Sequence, residues 1–179
     1  MDIQKIIEKI ETSKSENDYP KAKEISLEAL KIHTDDYRLY EELADIYLFE
    51  GNIEKASEVL SVARELHPDS GTGMYLDGYL ATARGEFEKA IEILSKANGL
   101  MPNNAEILRN LGWAHVMKGD LMKGLSLLRR AHILAPDEPM VINDLSVALI
   151  AAGQESEARL VLARLGQSDL VDTLKNSEI

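Results

Sequence analysis

The stretch YRLYEELADIYLFEGNIEKASEVLSVARELHPDS, running from Tyr37 to Ser70, holds the pattern from which the whole chain can be read. Tyr40, Leu43, Ala44 and Tyr47 follow an i, i+3, i+4, i+7 spacing, which puts them on one face of a helix. Gly51 comes next, then a second apolar series, Ile53, Ala56, Leu60 and Ala63, and then Pro68. Glycine suits the left-handed residue that ends a helix, and proline cannot continue one. The stretch therefore predicts two helices joined by a tight turn and stopped at the proline.

The pattern recurs every 34 residues: Gly51, Gly85, Gly119 and Gly153 fall on one grid and Pro68, Pro102 and Pro136 on another. Ala22, Ala56, Ala90 and Ala158 share a third grid, on which Gly124 fills the remaining place. Asn17 occupies the glycine position of the first repeat and is the next best tolerated residue there. Five repeats result, 3–36, 37–70, 71–104, 105–138 and 139–172, with a tail at 173–179. Each repeat can bury its apolar face only against its neighbours, so the chain is expected to form one repeat domain over residues 1–179.

These residues resemble the tetratricopeptide repeat, a 34-residue helix-turn-helix unit. The fourth repeat carries the resemblance with Leu108, Leu111-Gly112, Leu128, Ala131 and Pro136, and the second with Tyr40, Leu43, Tyr47, Ala56, Leu60, Ala63 and Pro68. The resemblance implies an all-α fold, an α-solenoid of antiparallel helix-turn-helix units in a right-handed superhelix. The terminal repeats depart from the pattern, as capping repeats do. Lys9 stands where the family has Leu, Thr34 where it has Pro, and Leu165 where it has Ala. Ser168 to Leu174 reads as an N-cap followed by a short capping helix, expected to cover Leu160, Val161 and Leu165. Asp77 sits where the family buries Leu; either it tilts to reach water through the edge of the helix, or a buried ionised carboxylate there needs a partner, for which His115 and Arg84 are the candidates.

The family's concave groove is lined by first helices at repeat positions 2, 5, 9, 12 and 13. By that resemblance the groove residues are Phe49, Tyr75, Tyr79, Arg109, Trp113, Met117, Asn143, Val147 and Ile150, with an acidic end at Glu41 and Asp45. Exposed aromatic and Met side chains in one place are typical interface anchors. The expected partner is a protein or peptide with an apolar segment, beside which the acidic end would favour a basic one. Family members that clamp a C-terminal carboxylate pair Lys and Asn at positions 5 and 9 of one repeat, and no repeat here has that pair.

Composition narrows the remaining classes. The net charge is −11 and the pI about 4.8, which disfavours nucleic acid and anionic membranes as partners. The acids concentrate toward the start: residues 1–70 hold 17 Asp and Glu against 9 Lys and Arg. The chain has no Cys, hence no thiolate nucleophile or Cys-based zinc site. The first ten residues interleave charges with isoleucine, which reads as no export signal and a cytoplasmic protein without membrane insertion. His33 and His67 are one repeat position seen twice, and His115 and His132 form no paired ligand motif. No serine nucleophile motif or phosphate-cradling glycine loop is present. The expected function is a non-catalytic interaction module, a scaffold, adaptor or small chaperone, with no metal and no cofactor. The alternatives are a self-assembling structural scaffold, which makes a homo-oligomer a possible state, and an accessory subunit of an enzyme or of a secretion or pilus assembly.

Overall fold

The computed structural model describes residues 2–176, and every described regular element is helical. In chain order these are α1 (Ile3–Ser15), α2 (Tyr19–Leu30), α3 (Tyr37–Phe49), α4 (Ile53–Leu66), α5 (Gly71–Ala83) and α6 (Phe87–Leu100). There follow α7 (Ala105–Lys118), α8 (Leu121–Leu134), α9 (Pro139–Ala151), α10 (Glu155–Leu162), a 3-10 turn (Ala163–Leu165) and α11 (Leu170–Asn176). Each 34-residue repeat read from the sequence holds one helix pair. The helices group into two compact units, Met1–Leu80 and Ala81–Ile179, and the division falls within α5.

The turn inside each pair has the same construction. Asn17, Gly51, Gly85, Gly119 and Gly153 all have positive φ, from 60° to 95°. The residue after each sends its N–H back five residues, Asp18 to Ser13, Asn52 to Tyr47, Glu86 to Ala81, Asp120 to His115 and Gln154 to Leu149, at 2.8–2.9 Å. That bond closes the first helix in the manner of a Schellman turn. Asp18 and Asn52 then cap the next helix, accepting from the N–H groups of Lys21 and Lys55.

A second capping grid escaped the sequence reading. Asp2, Asp36, Ser70, Asn104 and Glu138 are 34 residues apart, and each accepts a backbone N–H in the first turn of a first helix. These polar side chains satisfy donors that a helix start leaves unpaired, an effect worth about 1 kcal/mol each.

In the first compact unit the core forms on both sides of α3. Leu39 and Ile46 pack with Ile6, Ile7, Ile10, Ala22 and Ala29, while Leu43, Ala44 and Tyr47 pack with Leu60, Ala63, Leu76 and Leu80. A helix covered on two sides is apolar on both. In α1 the places equivalent to Leu39 and Ile46 are taken by Lys5 and Thr12, both exposed. In the second compact unit Leu125, Leu128, Ile142, Leu145 and Leu149 join Ala158, Leu162 and Val171. Each large apolar side chain taken from water contributes about 1.5–3 kcal/mol.

Small residues set the approach of paired helices. Ala22, Ala56, Ala90 and Ala158 are fully buried. In the fourth repeat both contacting positions are glycine, and a Cβ on Gly124 would lie 2.7 Å from the backbone oxygen of Gly112.

At the C-terminal end α10 is short, Gly166 turns the chain with φ 68°, and α11 packs on α9 and α10. The capping helix is thus present, but it covers less than expected. Val171 is buried against Val161 and Leu162, and Leu165 is partly buried, whereas Leu160 is 74% exposed and remains uncovered. The helix runs across residue 172. Of the tail, residues 177–179 lie outside the described residues, as does the side chain of Leu174.

Candidate partner-binding surface

The residues singled out from the sequence divide between the two compact units. In the first, Phe49 is 62% exposed at the end of α3 and stacks on Tyr19, ring centroids 3.4 Å apart and planes within 4°. Tyr75 and Tyr79 of α5 are half-buried and pack against the Leu43–Leu60–Leu76 core, so part of each ring serves the fold.

The acidic end is not a surface of free carboxylates. Asp45 and Glu42 both bind Lys14 of α1, at 2.6 and 2.8 Å. Burial alone would lower the Lys14 pKa, but the two carboxylates override it and hold the ammonium above the usual lysine range. Glu41 is only 5% exposed and points inward. The expectation that Glu41 presents open negative charge is therefore corrected, because it is buried, whereas Asp45 shares the one Lys14 ammonium with Glu42 and keeps 41% of its side chain exposed, so a net negative charge remains there.

Asp77 takes neither His115 nor Arg84. Both its oxygens meet the guanidinium of Arg64, at 2.6 and 2.8 Å, with the Arg64 side chain half-exposed and the carboxylate one-fifth exposed. The pair reaches water at its Arg end, which is how an acid is tolerated at a Leu position. His115 is buried, its Nδ1 3.4 Å from Asp120, and burial pushes its pKa below the usual histidine range.

An open groove of about 770 Å³ lies between α1 and α2, lined by Ile6, Lys9, Ile25, Glu28 and Ile32 among others. Lys9 stands where Leu43, Leu111 and Leu145 are buried in other repeats, so a charge reaches water in a lining that is otherwise mostly apolar.

In the second compact unit α7 and α9 pack side by side. Arg109, Trp113 and Met117 are four residues apart along one face of α7, and Met140, Asn143 and Val147 follow one face of α9. The faces are tied together by Arg109 and Asp144, whose N–H···O contact is 2.8 Å. Burial pushes the Asp144 carboxyl up, and Arg109 opposes the shift. Met117, Met140 and Asn143 are exposed, and Trp113 and Val147 half-buried. Two residues assigned to the groove are instead buried: Arg109 in its ion pair and Ile150 in the core with Leu149 and Ala158. Position alone could not show this, since Asp144 is one repeat plus one residue from Arg109.

Matches to family models for the tetratricopeptide repeat cover residues 14–72 and 78–139. The chain belongs to the tetratricopeptide-repeat family. No curated protein sequence matches it, but solved structures do. A thermophilic tetratricopeptide-repeat protein of Thermus thermophilus, TTC0263, aligns over 96% of this chain and 94% of its own with 21% identity and a TM-score of 0.76. PilW, described as a widely conserved type IV pilus biogenesis factor, aligns over 93% and 77% with 20% identity and a TM-score of 0.74. PilF of Pseudomonas aeruginosa aligns over 92% and 75% with 17% identity and a TM-score of 0.70. At these identities the shared property is the all-helical repeat fold. That fold suggests a protein–protein interaction module, and proteins of this family are generally non-catalytic scaffolds. Among the described residues no helix is long and apolar enough to cross a membrane, and no group of three or more His, Asp or Glu could hold a metal ion.

Proposed function

We propose that the protein is a non-catalytic adaptor or small chaperone that holds a partner segment against the α7–α9 face. The observation that carries this is the juxtaposition of Trp113 and Met117 with Met140, Asn143 and Val147, side chains left wholly or partly open on two packed first helices. Aromatic and Met side chains of this kind act as anchors, and Asn143 supplies a donor and an acceptor for the backbone of an extended or helical segment. The partner is proposed to be a protein with an apolar segment, and the proposed location is the cytoplasm. Likeness to pilus biogenesis factors supports a role in an assembly without identifying one.

Trp113 is the sole tryptophan, so its emission reports directly on this face. A partner recovered by affinity capture from the source cell is expected to shift Trp113 emission on titration. It should also lose at least about 30-fold in affinity on Trp113→Ala, the cost of removing a hot-spot aromatic. Val147→Ser is expected to weaken binding with the helical circular dichroism intact. Equal affinity for wild type and both variants would move binding off this face.

A further inference from the structure

Glu41 is a buried carboxylate that neither the core nor the proposed binding face uses. It is only 5% exposed, and its Oε1 has no hydrogen-bond partner. It faces the first turn of α5, where a Cβ on Gly73 would come within 2.8 Å of that oxygen. The Gly73 N–H is shared, since it donates to the Ser70 hydroxyl at 3.2 Å, and although both groups favour the Glu41 anion, burial outweighs them. The turn it faces is intrinsically weak: α5 contains Gly71, Gly73 and Gly78, and glycine is the poorest helix former after proline.

We propose that Glu41 is a proton-operated latch on the start of α5: with its proton the carboxyl seats that turn against α3, and without it a buried, poorly paired anion loosens the turn. Burial is the main influence on this carboxyl and pushes its pKa above the ordinary value of 4.5, with Glu42 adding to the rise and Ser70, Gly73 and His67 opposing it. Apart from His67, the other charged groups of α3 and α5 are engaged elsewhere. On α3, Arg38 pairs with Asp36 and Glu42 with Lys14. On α5, Asp77 is held by Arg64. His67, at the end of α4, packs on the Tyr37 ring at 4.3 Å. An acid whose folded-state pKa is raised contributes stability that is full below the unfolded value and is lost as pH rises through the folded one. The window thus opens near pH 4.5 and extends upward. Since α5 also carries Tyr75 and Tyr79, the latch would control how firmly their helix is seated.

The test is hydrogen exchange by NMR on the full chain between about pH 4.5 and 8, the range over which a raised carboxyl would titrate. The amide of Met74, which bonds Ser70 O at 2.9 Å, and those of Tyr75 to Tyr79 are the reporters. Wild-type protection factors should fall by up to about tenfold per pH unit within the window, the limit for one proton. Glu41→Gln should show no slope, and His67→Gln should keep the wild-type slope. A flat wild-type profile, or a slope that survives in Glu41→Gln, would overturn the proposal. A direct titration of the Glu41 carboxyl carbon in the wild-type chain needs no variant. A midpoint above 4.5 is expected, and one at or below it refutes the latch.

Discussion

Gly124→Ala is expected to destabilise the protein, although alanine is what the other four repeats carry at that place (Ala22, Ala56, Ala90 and Ala158). Two effects compete. Alanine in place of a helical glycine gains up to about 1 kcal/mol of helix propensity. Against this, the new Cβ would lie 2.5 Å from Val116 Cγ2, 2.7 Å from the Gly112 carbonyl oxygen and 3.0 Å from the Val116 nitrogen. A side-chain tip can move aside, but two of these three contacts are backbone, so α7 and α8 must separate. Overpacking of this kind costs roughly 1–3 kcal/mol, and the loss should win. Gly99→Ala is the matched control: it lies within α6 with nothing near its Cβ direction, and should gain a fraction of the propensity term. Thermal unfolding of the two variants decides the matter. With about 2–4 °C per kcal/mol for a chain of this size, Gly124→Ala should melt several degrees below wild type and Gly99→Ala at or slightly above it. A Gly124→Ala protein that melts no lower than wild type would show that this helix pair opens without cost.

That glycine illustrates how far the sequence could be read. Repeat length, helix pairs and left-handed turn residues were legible because each rests on a local requirement that recurs: Gly51 and its equivalents need positive φ, and Pro68 and its equivalents need a helix to end. A preference for small residues was legible in the grid of Ala22, Ala56, Ala90, Gly124 and Ala158, but that Gly112 and Gly124 approach backbone to backbone depends on two helices at once. The binding face was legible only as a set of positions. Whether a position is open depends on what the neighbouring repeat sends toward it, and the distances involved run across repeats. Lys14 pairs with Asp45 from 31 residues away, Arg64 meets Asp77 across 13, and Asp144 lies 35 from Arg109. The capping grid of Asp2, Asp36, Ser70, Asn104 and Glu138 was within reach, since it shares the repeat period, but the residue type changes at nearly every step.

Arg109→Ala is expected to cost about 3 kcal/mol, the lower end of what breaking a buried ion pair costs, because Asp144 keeps one-fifth of its side chain exposed. The loss comes from the carboxylate left behind rather than from the arginine. Asp144 is already pushed up by burial while Arg109 holds it down, so removing the arginine raises it further. The deficit relative to wild type should therefore be larger at higher pH and shrink as pH falls and the carboxyl takes up a proton. Arg109→Met with Asp144→Leu removes both charges at similar volume and is expected to recover most of the stability. The double variant also separates two roles that a single substitution confounds. If Arg109 acts only by tying α7 to α9, partner binding at Trp113 should survive in the double variant. If the guanidinium touches the partner, stability returns and binding does not. A single variant as stable as wild type at neutral pH would mean that Asp144 reaches water in solution and that the α7–α9 face is wider than its packing implies.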